Sequence, residues 1–289
     1  MRLLVLGAAG QLGGDLMDAA AASGVEASGV GRAEVDVTDR AALRGFLDAA
    51  GFDVLVNATS YHKTDEVETE PERAMAVNAR APAVMAEACA ARGARFLHIS
   101  TDYVFGGDRG RTVPLTEADP PAPVNVYGLS KLYGETLSDL AGGDVTVFRV
   151  ASLYGVRGAS GKGGNFVETM LRVGREKGAL KVVEDQVMSP TSTAFVARAI
   201  LGFLERGGRP GVYHCVNSGA ATWADFARAI VAEAHVAAEV QGCPTSDWPM
   251  VARRPGYSAL DNTKLAAVIG PIPGWRDALA GYLAARGHV

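Results

Sequence analysis

The sequence predicts an α/β chain: a doubly wound parallel sheet followed by a smaller C-terminal lobe. Three observations predict it. Short apolar runs alternate with helical stretches through the first 150 residues. A glycine turn follows the first apolar run directly. After Val150 the texture changes to glycine-rich, polar and irregular sequence. Alternation of this kind, with helices long enough to cover both faces, builds a parallel sheet.

Residues 2–6 are the first strand, ending at Gly7-Ala8-Ala9-Gly10-Gln11-Leu12-Gly13. A helical pattern then runs through Leu16, Met17 and Ala20. Strand, glycine turn and helix in this order suit a dinucleotide pyrophosphate, because glycines let the backbone approach it and the helix N-terminus offers free N–H groups. A glycine turn with no ligand is the competing reading, and the position right after the first strand weighs against it. A second strand is expected over 25–30, ending at Gly31-Arg32. An acid at that end would grip the ribose 2′-hydroxyl of NAD, and an arginine would accommodate the 2′-phosphate of NADP. Arg32 stands there without an acid, which points to NADPH and leaves NADH open. Thr38 or Asp39 can cap the next helix.

Residues 52–56 form a third strand, followed by Asn57-Ala58-Thr59-Ser60, small enough for a cofactor to lie across. His62 has no Cys or His at metal-ligand spacing and reads as structural or solvent-facing. A long Ala-rich helix is expected over 72–91, containing Asn78. Residues 95–99 are the fourth strand, with Ser100-Thr101-Asp102-Tyr103 at its carboxyl end, where ligands bind in open α/β sheets. Residues 144–150 are the fifth. The lobe reads as a mobile 155–164 loop, helices over 165–177, 191–205 and 223–234, strands at 182–183 and 211–216, and an irregular 243–257 segment. The expected division is a dinucleotide-binding domain over 1–150, with sheet elements returning from about 180–206, and a lobe over 151–289.

The chemistry centres on residues 124–131. Tyr127 and Lys131 are four apart, so on a helix they share one face. An ammonium beside a phenol favours the phenolate and lowers the tyrosine's pKa, which suits it to proton transfer at a carbonyl or alcohol oxygen. A solvated helix face with an ordinary Tyr and Lys is the competing reading, and the surrounding motifs decide against it.

Composition narrows the classes. The chain has 289 residues, 48% hydrophobic, with net charge −4. That is enough to bury a sizeable core, and the absence of a basic run argues against nucleic acid as a partner. No run of 18 or more apolar residues marks a membrane span. The opening apolar run, Leu3-Leu4-Val5-Leu6 after one Arg, is too short to read as a signal peptide and is expected to be the first strand. Cys89, Cys215 and Cys243 are odd in number and far apart, as expected of reduced thiols in the cytoplasm, with Cys89 buried in the Ala-rich helix.

Four motifs stand in order: G-x-x-G-x-x-G from Gly7, S-T-D-Y-V-F from Ser100, Y-x-x-x-K from Tyr127, and R-P-G-Y-S-x-L-D from Arg254. With them the chain resembles the extended short-chain dehydrogenase/reductase family, a Rossmann-fold family, over essentially its whole length. Within that family it is similar to the dTDP-4-dehydrorhamnose reductase group. Gly164-Asn165-Phe166, Asp185-Gln186 with Pro190-Thr191, and Gly211-Val212-Tyr213-His214 add to the match. The resemblance implies Tyr127 as proton donor to a sugar 4-keto oxygen, Lys131 as its pKa-lowering partner and ribose ligand, and Thr101 as a hydrogen-bond donor to the reacting oxygen. It implies cofactor contacts from Gly7, Gly10, Gln11, Leu12, Arg32, Asp36, Val37, Ala58, Thr59 and Ser60. It places Thr101, Asp102, Ser152, Asn165 and Arg254 beside a nucleotide-sugar substrate, and carries over no metal site. Similar 4,6-dehydratases have an acid right after Thr-Asp; Tyr103 is here, which implies reduction and not elimination. Many relatives have a tryptophan at position 152, where this chain has Ser152, and the 155–164 loop is expected to fill the space. A sugar-nucleotide epimerase, and a non-catalytic module like the regulatory subunits of methionine adenosyltransferase, stay open as alternatives. So does a homodimer.

Overall fold

Strand β1 (Arg2–Leu6) sends successive side chains to opposite faces of the sheet, and both faces are apolar. Leu3 and Val5 pack with Leu12 and Leu16 of helix α1 (Gln11–Ala22) and with Phe195, Val196 and Ile200 of the Thr193–Glu205 helix. Leu4 and Leu6 pack on the other side with Leu43 and Leu47 of α2 (Arg40–Ala49) and with Val84 and Met85 of the Ala81–Arg92 helix. This two-sided burial is the doubly wound arrangement expected. The structure is a computed structural model, and it describes residues 1–108, 110–157 and 164–289.

The other strands of this sheet are β2 (Glu26–Val30), β3 (Val54–Asn57), β4 (Arg95–Thr101), β5 (Asp144–Val150) and Gly211–His214. The six-stranded parallel sheet runs Gly211–His214, β5, β4, β3, β1, β2. The chain adds β2 on one side of β1 and then crosses to the other side for β3. That reversal opens a crevice at the carboxyl ends of β1 and β3, where ligands bind in such sheets. Asp39, of the two capping candidates, caps α2, accepting from the N–H groups of Ala41 and Ala42.

The structure departs from expectation in three places. The 72–91 helix is interrupted: Pro71–Met75 and Ala81–Arg92 are α-helical, and Ala76–Arg80 between them is a π-helical turn. The Thr193–Glu205 helix returns to the sheet inside the 180–206 window, but the strand that joins it, Gly211–His214, lies beyond that window. Ala179–Val183 instead pairs in parallel with Glu239–Cys243, so part of the segment expected to be irregular is a strand. Tyr154, Leu171, Phe226, Ile230, Trp275 and Leu283 form the lobe's own core. Among the described residues, no helix is long and apolar enough to cross a membrane, and no group of three or more His, Cys, Asp or Glu could hold a metal ion.

The Val126–Leu140 helix lies against β4 and β5 and is pinned there by a buried ion pair. Arg149 of β5 grips Glu135 with both arms, Nε to Oε1 at 3.0 Å and Nη2 to Oε2 at 2.7 Å. Ser100 of β4 donates to the same carboxylate. Removing one partner of a buried pair leaves a desolvated charge, which costs about 3–5 kcal/mol. Glu135→Gln should therefore lower the unfolding free energy by about that amount in urea titration. A loss within about 0.5 kcal/mol, the range of an ordinary surface substitution, would show that the pair does not anchor the helix.

Candidate active site

The residues assigned in the sequence to cofactor, substrate and chemistry all line one cleft of about 1250 Å³. The cleft runs from the switch point of the sheet into the lobe. At the first end, Gly7 takes φ +85, and a Cβ there would lie 2.9 Å from the Ala58 carbonyl carbon. Only glycine fits that turn. Gly10 caps α1 without any side-chain bond, and the first turn carries no acid, so the positive end of α1 is unblocked. Gln11 Oε1 is buried there without a partner among the described residues. Asn57 Oδ1 accepts from Thr59 N at 3.0 Å and Thr59 Oγ1 at 2.6 Å, turning Ala58-Thr59-Ser60 across the end of β3. Arg32 is exposed just beyond β2. Asp36 accepts from the Thr38 N–H and hydroxyl, which hold its carboxyl below the ordinary range. This end suits a dinucleotide: an unblocked helix terminus for a pyrophosphate and a cation at β2 for a 2′-phosphate.

In the middle stand Tyr127, Lys131 and Thr101. Asn125 starts the helix, accepting from Gly128 N at 2.8 Å, while its own Nδ2 donates to the Arg253 carbonyl at 2.8 Å. One cap thus fixes the helix start and ties it to the lobe. Asn78, in the π-helical turn, accepts from Tyr61 N at 2.9 Å and donates to Tyr61 O at 3.0 Å and Ser130 Oγ at 3.0 Å. It joins the 58–61 wall to the tyrosine's helix. The single sequence read it only as part of an Ala-rich helix; π-turns often mark functional sites, but no local pattern announced this one.

The expected lowering of the Tyr127 pKa by Lys131 is not found. Burial holds the phenol above its ordinary value, with the Thr101 and Ser60 hydroxyls pulling it back and Asp102 pushing it further up. Lys131 turns instead toward β4, donating to the Ile99 carbonyl at 2.6 Å. Burial brings its own pKa down to about 7, against the pull of Glu135. Tyr103, in the place of the dehydratase acid, meets Tyr127 edge to face at 5.7 Å.

Of the residues expected at the substrate end, Ser152 takes φ 44, a left-handed conformation unusual outside glycine. Asn165 is spent on structure: it caps the Phe166–Lys177 helix and donates to Gly155 O and the Tyr282 hydroxyl. Arg254 pairs with Asp65 at 2.9 Å. Of the 155–164 loop expected to fill the space beside Ser152, residues 158–163 lie outside the described residues; Gly164 lines the cleft. Apolar walls come from Phe166, Trp223, Phe226 and Trp248, which sequence reasoning did not assign. The spacing of Trp223 and Phe226, three apart at the start of a helix, was the available signal. His62, read as structural or solvent-facing, also lines the cleft, as do Lys63 and Arg73.

Asp102 is buried and accepts from Ser258 at 2.6 Å and from Thr101 at 3.1 Å. Burial still raises its carboxyl from the ordinary 3.8 to about 6. Because the folded value lies above the unfolded one, the favourable contribution is complete below about pH 4 and lost as pH rises through 6. Asp102→Asn should flatten the fall in unfolding free energy between about pH 4 and pH 6.5 by on the order of 3 kcal/mol. An unchanged slope in urea titrations at the two pH values would place the linkage elsewhere.

Comparison with known proteins gives the family. The model of the family described as "RmlD substrate binding domain" matches residues 1–287. A dTDP-4-dehydrorhamnose reductase of Mycolicibacterium smegmatis is 41% identical over 98% of this chain and 85% of its own. A solved dTDP-4-dehydrorhamnose reductase of Clostridium acetobutylicum superposes with TM-score 0.91 at 33% identity, covering 99% of each chain. The enzyme of that name from Bacillus anthracis, solved in complex with NADP, gives TM-score 0.91 at 30% identity, over 98% of this chain and 99% of its own. With a glycine turn opening α1, Thr101 and Tyr127 in one cleft and Lys131 a turn further on, the chain belongs to the RmlD substrate-binding-domain family, the family of the dTDP-4-dehydrorhamnose reductases.

Proposed function

We propose that the chain reduces the 4-keto group of a nucleotide-activated 6-deoxysugar with NADPH, taking dTDP-4-dehydrorhamnose to dTDP-rhamnose. The observation that carries this reading is the continuity of the cleft. A dinucleotide-shaped end, a Tyr127–Thr101 centre and an aromatic-walled end follow one another without a break. The reactions named for its relatives support the choice of sugar. The bound nicotinamide would supply the hydride. Tyr127 would give its phenolic proton to the carbonyl oxygen, and its raised pKa keeps that proton in place until charge develops on the oxygen. The Thr101 hydroxyl would hydrogen-bond the same oxygen. Lys131 would stabilise the tyrosinate left behind. The unblocked start of α1 would hold the pyrophosphate and Arg32 the 2′-phosphate. Phe166, Trp223 and Trp248 would wall the nucleotide sugar. We place the reaction in the cytoplasm, where the three free, buried cysteines suit a reducing milieu.

NADPH consumption at 340 nm, with and without dTDP-4-dehydrorhamnose, tests the reading. Oxidation that depends on the sugar is expected. NADPH binding without consumption would favour a binding module, and sugar interconversion without net oxidation an epimerase. Tyr127→Phe, which removes only the hydroxyl, should cut kcat by about 10²–10⁴ and leave NADPH affinity unchanged. A variant keeping more than half of the wild-type kcat would remove Tyr127 from the role of acid.

A further inference from the structure

Beneath the active-site helix lies a chain of three polar side chains that the proposed chemistry does not use in full. Asn57 ends β3, His98 sits on β4, and Lys131 reaches down from the helix. His98 and Asn57 are fully buried and Lys131 is 1% exposed. The order of their hydrogen bonds is set at one end. Asn57 Oδ1 is occupied by the Thr59 N–H and hydroxyl. Its amide nitrogen is therefore the group that faces His98 Nδ1, at 3.1 Å. An amide NH₂ only donates, so Nδ1 accepts and the neutral ring carries its proton on Nε2. That Nε2–H points at Lys131 Nζ, 3.3 Å away. An ammonium there would set donor against donor. A neutral amine resolves the conflict, offering its lone pair to His98 and a hydrogen to the Ile99 carbonyl at 2.6 Å.

The packing holds this arrangement closed. A Cβ at Gly134 would lie 3.3 Å from His98 Nε2 and 2.1 Å from the Asn78 carbonyl oxygen, so the helix descends onto the ring only where it lacks a side chain. The charged groups around Lys131 do not replace the missing proton. Glu135, one turn on, is spent on Arg149 of β5 and Ser100 of β4. Asp102, after β4, is held by Ser258 and Thr101. Tyr127, one turn back, stays protonated. Glu68 accepts from Val126 N, and the π-turn presents the uncharged Asn78. Burial holds His98 well below its ordinary value, and burial brings Lys131 down to about 7, both in agreement with the hydrogen-bond order.

We propose that Asn57 and His98 are positioning residues that hold Lys131 as a neutral amine in the free protein, and that binding of the dinucleotide draws one proton from solvent onto Lys131 Nζ. The second half rests on the cofactor reading above. The role of Lys131 beside the tyrosinate then begins only after the cofactor is seated, and cofactor affinity falls as pH rises above about 7.

Two measurements on the full chain test this. Long-range ¹H–¹⁵N NMR reads histidine tautomers directly, with His98 assigned by its loss in His98→Gln. The expected signature is an Nε2–H ring that does not titrate down to about pH 5.5, below the ordinary histidine value. An Nδ1–H ring, or an imidazolium forming near the ordinary value, would overturn the proposal. Calorimetry of NADPH binding at about pH 8, in buffers of different ionisation enthalpy, should show uptake of about one proton per site. Binding without uptake would overturn the second half. Failure to bind NADPH would instead overturn the cofactor reading and leave the tautomer result to decide the first half. Asn57→Asp reverses the chain: a carboxylate accepts from Nδ1–H, and Nε2 then accepts from an ammonium. That variant should show the Nδ1–H signature and lose the uptake; retention of both wild-type signals would overturn the proposal.

Discussion

The close descent of the Val126–Leu140 helix onto the carboxyl end of β4 is the constraint on which the rest of the site depends. A Cβ at Gly128 would lie 2.0 Å from the Tyr103 carbonyl oxygen, and one at Gly134 would lie 2.1 Å from that of Asn78. Two glycines of that helix, on different sides of it, therefore set its distance from both walls of the cleft. The approach brings Tyr127 into the cleft with Thr101 and seats Lys131 against β4. It also buries Glu135, which is why an arginine from β5 and a serine from β4 must meet that carboxylate. The Asn125 cap and the Asp65–Arg254 pair carry the constraint outward, fixing the lobe against the helix start.

Desolvation is the second consequence of that approach. It raises Tyr127 and Asp102 and lowers Lys131 and His98, in each case as the largest influence. A site assembled this way keeps its tyrosine protonated and its carboxylate easily neutralised. That state suits a group that must release a proton only when negative charge forms beside it.

The strands and the chemical centre were legible because they rest on local pattern. Of the first five strands, β1, β3, β4 and β5 show as largely apolar runs, β2 (Glu-Ala-Ser-Gly-Val) does not, and β5 matches its expected bounds. Tyr127 and Lys131 are joined by helical spacing alone. What was not legible depends on contacts between distant segments. Asn78 and His98 look like stray polar residues in an Ala-rich helix and an apolar strand, and only packing against the tyrosine's helix gives them partners. The Glu239–Cys243 strand reads Glu-Val-Gln-Gly-Cys, with weak strand preference, and is stabilised by Ala179–Val183, distant in the chain. The expected lowering of Tyr127 by Lys131 assumed an ammonium held beside the phenol on one helix face. Burial and the Ile99 carbonyl redirect the lysine. At Ser152 the missing tryptophan was visible, but the left-handed backbone was not.

The most direct test of the account follows the hydride itself. Incubation with dTDP-4-dehydrorhamnose and NADPH carrying deuterium on the transferring face of C4, with the sugar product read by NMR, reports where the hydride lands. The account predicts deuterium at C4 of the deoxysugar, in a single configuration. Deuterium retained in the cofactor while NADPH persists, or found at another carbon of the sugar, would contradict it.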